Sequence, residues 1–303
     1  MVEHDNAYEG LLEASEDNRW AFGTGFDDPL AGVDTTLPVG VDGADLAAYC
    51  LMLADDALVM SQRLTQWVTR APELEEEVAL ANLGLDLLGQ ARLLLARAAA
   101  AHPAVVPVLP AGSPVPHEDA LAYFRDESAF RNVWLVELDN GDFARSMVRL
   151  LVFATWRLAL LGRLQGSRDA VLAAVAAKGV KEVTYHRDYA ARWVVTLAQG
   201  TPQSRRRTQA AVTTVWPYVA GLFWTHSVER RLEGVACDPA TVREEVDHVV
   251  AEVFAAADLE VPAGPTASAI AGRAGRDGVH TEALGPLLGE LQVVARAHPR
   301  GLW

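Results

Sequence analysis

At 303 residues, half of them hydrophobic, the chain is long enough to bury one large core or two small ones. A net charge of -14, from 40 acidic against 26 basic residues with the basic ones scattered along the chain, excludes a nucleic-acid partner. Two cysteines, Cys50 and Cys237, imply no disulfide framework and fit a reducing compartment.

Residues 1–41 are rich in Gly, Asp and Pro with isolated aromatics (Tyr8, Trp20, Phe22, Phe26), and read as an irregular N-terminal arm that docks on something. Met1 to Asn18 is acidic where a signal peptide needs a basic and then an apolar region, and no uninterrupted apolar run approaches membrane-spanning length. The expectation is a soluble cytoplasmic protein without membrane contact.

From Asp42 the apolar residues Leu46, Tyr49, Cys50, Leu53, Ala57, Met60, Leu64 and Trp67 recur at helical spacing. A second helix is expected to open at Pro72 with Glu73, Glu75, Glu76 and Glu77 at its positive end. It carries Leu74, Val78, Leu85, Leu88 and Leu95, and stops near His102-Pro103. A Pro/Gly-rich connection over 103–116 precedes a short helix around Asp119–Asp126 and a turn at Asp139-Asn140-Gly141. Long helices follow over Asp142–Gln165 and Arg168–Gln199, broken at Gly166-Ser167, with further helical segments near Ser204–Glu233 and Pro239–Asp258. The stretch Val261–Gly278 reads as a mobile or extended loop, after which Thr281 can cap a last helix to about Ala297. The fold class expected is all-α: a ferritin-like four-helix bundle core with extra helices, forming a single domain over 42–303.

A carboxylate-bridged di-iron bundle needs a Glu from each of two helices and a Glu-x-x-His from each of the other two, a spacing that puts both ligands on one face. Where the second helix should carry that motif, Leu87 and Gln90 stand at its two positions; shifting the register to Asp86 places Gly89 where the histidine belongs. Leucine donates no lone pair and an amide oxygen is a weak iron ligand. The later helix offers Glu182 and His186, with Tyr185 at the three-residue spacing, which reads as a remnant serving as a polar pair in the bundle. Asp55 and Asp56 read as polar packing or interface groups. Glu244-Glu245-x-x-His248 has no partner motif and reads as a solvated face. The remaining histidines (His4, His102, His117, His226, His280, His298) lack the neighbours of a nucleophile–base pair, and no nucleophile elbow or phosphate-binding glycine loop occurs. No catalytic, cofactor or metal residue is therefore assigned.

Several stretches are too specific for a generic bundle. They are Leu53-Ala-Asp-Asp-Ala-Leu-Val-Met-Ser-Gln-Arg-Leu64, Ala71-Pro-Glu-Leu74, Leu80-Ala-Asn-Leu-Gly-Leu-Asp-Leu-Leu-Gly-Gln-Ala-Arg92, Asn140-Gly-Asp-Phe-Ala144, Gly278-Val-His-Thr-Glu282, Leu284-Gly-Pro-Leu-Leu288 and the terminal Trp303. Together they resemble the C-subunit family of the phenylacetyl-CoA epoxidases over roughly residues 42–303. The resemblance implies a structural subunit without iron ligands, held to a catalytic A subunit that carries the di-iron centre and epoxidises the ring of phenylacetyl-CoA with O2 in aerobic phenylacetate catabolism. It further implies a small B subunit and a reductase that brings NADPH, FAD and iron–sulfur chemistry to the complex. Two other readings stay open. One is an iron-binding oxygenase built on Asp55 or Asp56, Asp86, Glu182 and His186, or the equivalent subunit of a related acyl-CoA oxygenase. The other is a stand-alone helical interaction module.

Overall fold

A computed structural model describes residues 28–301; Tyr8, Trp20, Phe22, Phe26 and Trp303 lie outside that range, as does the stretch Met1 to Asn18. Among the described residues the fold is all-α. Helix α1 (Gly43–Thr65) opens at Asp42, whose carboxylate accepts the Ala44 and Asp45 amides at 2.8 and 3.0 Å. It is buried on nearly every face. Helix α2 (Leu74–Ala101) begins two residues beyond Pro72, which lies outside it, and carries Glu75, Glu76 and Glu77 in its first turn. The crossover holds the short helices α3 (His117–Tyr123) and α4 (Trp134–Glu137), the latter not foreseen from the sequence. At the predicted turn Gly141 takes a left-handed φ of 55°, and Asp142 then caps α5 (Phe143–Leu164). Asp169 caps α6 (Ala170–Ala198) through the Leu172 amide at 2.9 Å.

The expected helix over 204–233 is in fact interrupted. Helix α7 (Pro202–Val215) gives way at Trp216-Pro217 to two 3-10 turns before the short α8 (Ser227–Arg231), because Pro217 has no amide to continue the ladder. Pro239 likewise holds its segment in a 3-10 turn until α9 (Arg243–Ala256). Helix α10 (Leu284–Ala297) starts three residues after Thr281, whose hydroxyl receives the Ala283 amide at 3.4 Å.

The four long helices form two antiparallel pairs. Ser61 donates to the Gly84 carbonyl across α1–α2, and Phe143 meets Trp193 edge-to-face at 5.0 Å across α5–α6. Helix α2 lies along α6, and the fourth side closes where Trp67, just past the end of α1, donates to Ser146 of α5 at 2.9 Å. This is the packing a ferritin-like core requires.

Two expectations change. On α2 the buried side is Leu80, Leu83, Leu87, Gln90, Ala91 and Leu94, whereas Leu74, Val78, Leu85 and Leu88 of the predicted stripe face outward. A helix apolar on every side does not declare which side meets the core. By length and composition α2 could also cross a membrane, but its buried side is committed to this bundle. The end of the supposed loop over 261–278 is pinned: Arg276 reaches the Met52 and Arg131 carbonyls at 2.9 and 2.8 Å, and Trp134 donates to the Val279 carbonyl at 2.7 Å.

Candidate functional site

The sequence-selected polar groups divide between two places in the bundle. The first lies between α2, α5 and α6. Gln90 of α2 donates to Glu182 of α6 at 2.8 Å and accepts from the Arg157 guanidinium of α5 at 2.9 Å, while Arg157 also donates to the Leu53 carbonyl of α1 at 3.2 Å. One turn away His186 shares a 3.0 Å hydrogen bond with Asp86. Glu182 and His186 are thus partners of α2, not of each other, since residues four apart on one helix can each turn to the helix alongside. Tyr185 faces solvent at 57% exposure, and Leu87 is fully buried.

Arg157 was not singled out in the sequence, yet it stands where four helices converge. Burial pushes its guanidinium down to about 10, against the opposing pull of Asp56, and its Nη2 is buried without a hydrogen-bond partner. Burial also holds His186 below its ordinary value, partly countered by its bond to Asp86. Gly179 makes room for this network, since a Cβ there would come within 2.9 Å of a Leu161 methyl and 3.3 Å of the Gln90 amide.

The second place is the outer side of α1, where Asp55 and Asp56 are fully buried. Asp55 pairs with Arg125 and accepts the Arg131 amide at 2.8 Å; Asp56 pairs with Arg276 at 2.8 Å and accepts the Val133 amide at 2.8 Å. They staple the chain around residues 125–133 and 276 onto α1. The alternative that they serve an interface fails, because their carboxylates have no exposed surface.

A di-iron centre does not fit these residues. One carboxylate of each candidate helix is already held by an arginine, a histidine or an amide, and a cation in the Gln90–Glu182 cluster would meet the Arg157 guanidinium instead of an imidazole. On α9, Glu245 pairs with Arg163 at 2.8 Å on the surface and His248 is exposed.

Outside the bundle a cavity of about 440 Å³ is lined by Trp134, Trp224, His226, Ser227 and Asp277 among others. Ser227, His226 and Asp277 resemble a hydrolytic triad in composition only. The His226 Nδ1 accepts the Val228 amide at 3.2 Å and Nε2 faces Asp277 at 3.3 Å, so no ring nitrogen is left to take a serine proton. The ring of His280, set aside in the sequence as lacking the neighbours of a nucleophile–base pair, is buried with its two nitrogens on Glu137 and the Phe130 carbonyl at 2.7 and 3.1 Å. Nothing local in the sequence marked it, since Glu137 lies 143 residues away.

Comparison with known proteins follows the same line. The phenylacetic acid catabolic protein family matches residues 36–303. A curated relative, the C subunit of the 1,2-phenylacetyl-CoA epoxidase of Escherichia coli (strain K12), is 43% identical over 263 residues, which covers 85% of this chain and 99% of the relative.

Proposed function

Because the chain belongs to the phenylacetic acid catabolic protein family, we propose that it is the non-catalytic subunit of a cytoplasmic phenylacetyl-CoA epoxidase, bound directly to a di-iron A subunit. That partner performs the ring epoxidation of phenylacetyl-CoA in phenylacetate catabolism, with a small B subunit and an NADPH-dependent reductase completing the complex. This chain holds the catalytic bundle in shape and binds no iron.

The observation that carries this reading is the Arg157 guanidinium seated among Gln90, Glu182 and Leu53. It supplies the positive charge that metal ions supply in a catalytic bundle, and it leaves the Glu182 carboxylate hydrogen-bonded instead of open for ligation.

The test is to purify the chain alone and together with the A subunit from the same organism, and to measure iron in both. The expected result is a folded, iron-free chain by itself and about two irons per A subunit in the complex. Two irons in the lone chain would make it an oxygenase in its own right.

A further inference from the structure

A second cavity, of about 500 Å³, opens between α2, α3 and α10. Each helix lines it with residues at helical spacing: Leu88 and Leu95 from α2, Ala122 and Tyr123 from α3, and Leu291 and Val294 from α10. These walls are fixed to one another. Arg92 of α2 pairs with Glu118 of α3 at 3.4 Å, Gln292 and Arg296 of α10 donate to the Ala122 and Tyr123 carbonyls at 3.1 and 3.0 Å, and Ser113 of the crossover donates to the Pro299 carbonyl at 2.6 Å. The cavity is therefore pre-formed, as small-molecule sites are. An apolar cavity of about 150 Å³ already accepts a benzene ring, so this one has room for a ring with a side arm.

Two polar groups in this lining, the Asp119 carboxyl and the Tyr123 hydroxyl, have no hydrogen-bond partner among the described residues. They lie four residues apart on α3, and hence on one face. Burial pushes Asp119 up to about 6, with Glu118 adding to the push and Arg92 opposing it. The Tyr123 hydroxyl is raised by burial and then by Asp119, so the two groups feel each other without bonding. A carboxylate accepts, and a phenol donates or accepts, so a ligand hydroxyl between them satisfies both. A carboxylate or phosphate does not fit, because Arg92 is already paired with Glu118 and the newcomer would face Asp119. An ammonium would have to be stripped of its water, a larger penalty than a hydroxyl meets.

We propose that this cavity binds an uncharged small molecule with a ring-sized apolar body and a hydroxyl, the hydroxyl lying between Asp119 and Tyr123 and the body against α2 and α10. The assignment is independent of the subunit reading, since the test uses this full-length chain alone. The probes are phenylpropanol with its terminal hydroxyl and its isosteres phenylpropanoate and phenylpropylammonium. They are titrated by calorimetry into wild type, Asp119→Asn, and Leu88→Trp, whose indole fills the cavity; melting temperature and helical content report whether each variant folds. The expected result is that the alcohol binds wild type saturably and at least about tenfold more tightly than either charged probe, that D119N narrows the gap between alcohol and carboxylate to under about threefold, and that L88W binds none of them. Equal affinity for the carboxylate, tighter binding of the ammonium, or an L88W that takes the alcohol as wild type does each overturns the assignment. If wild type binds nothing while Trp303→Ala binds the alcohol, the occupant is instead Trp303 of the chain itself, two residues beyond Gly301 of the cavity lining. If neither binds, the assignment fails outright.

Discussion

A carboxyl group buried near an arginine is pulled in opposite directions, and at Glu229 burial prevails: it pushes the group from its ordinary 4.5 up to about 7, against Arg276 and the His226 amide that donates to it at 2.7 Å. The folded chain then holds this proton more tightly than the unfolded chain, so the stabilisation is complete below about pH 4.5 and is lost as pH rises through 7. His186 acts with the opposite sense. Burial keeps it below its ordinary 6.5, so the unfolded chain takes up a proton the folded chain refuses, and stability declines as pH falls through 6.5. Glu229→Gln keeps an acceptor for the His226 amide and removes the first dependence. Its stability relative to wild type should improve between pH 5 and pH 8 by up to about 3 kcal/mol, read from denaturation midpoints; an equal difference at both pH values would refute the assignment. Neither group was marked for this role in the sequence. The same holds for Arg157, because arginines on apolar helices are read as surface until the partners that enclose them are known.

Caps and turns were legible because they are local. Asp42, Asp142, Asp169 and Gly141 each act within four residues of themselves, and each starts or stops a helix near where the sequence placed it. The rotation of α2 about its axis was not legible, since a helix apolar on both sides needs its neighbours to fix the inner face. Asp169 shows how one residue can serve both kinds of interaction. It caps α6 and also receives Arg97 of α2 at 2.6 Å in a fully buried pair, while Arg97 donates onward to the Thr35 carbonyl at 2.7 Å. The sequence opened this helix at Arg168 and read neither role, although the cap acts locally and the ion pair does not. Asp169→Asn preserves the cap and abandons the buried guanidinium, a loss of about 3–5 kcal/mol. Asp169→Ala loses the cap as well, about 1 kcal/mol more. Urea midpoints of the two variants separate the roles; if D169N were neutral, the pair would contribute nothing beyond the cap.

Across the described residues, buried polar contacts tie the segment around 276–292 to α1 and to the crossover between α2 and α5. Arg276 reaches Asp56 over 220 residues, Gln292 donates to the Ala122 and Arg125 carbonyls at 3.1 Å, and His280 meets Glu137. None of these contacts has a sequence signature, which is why the segment before α10 read as a loop. They make α10 and its approach part of the same folding unit as α1, since Asp56 has no exposed surface and no water to replace its partner. Arg276→Met should therefore cost about 3–5 kcal/mol by leaving a buried carboxylate unpaired. Asp56→Leu in the same chain removes that carboxylate, so the double variant should be destabilised by clearly less than the sum of the two single variants. Strictly additive costs in the denaturation midpoints would mean that the C-terminal region merely covers α1; a coupling above about 1 kcal/mol would mean that the bundle cannot close without it.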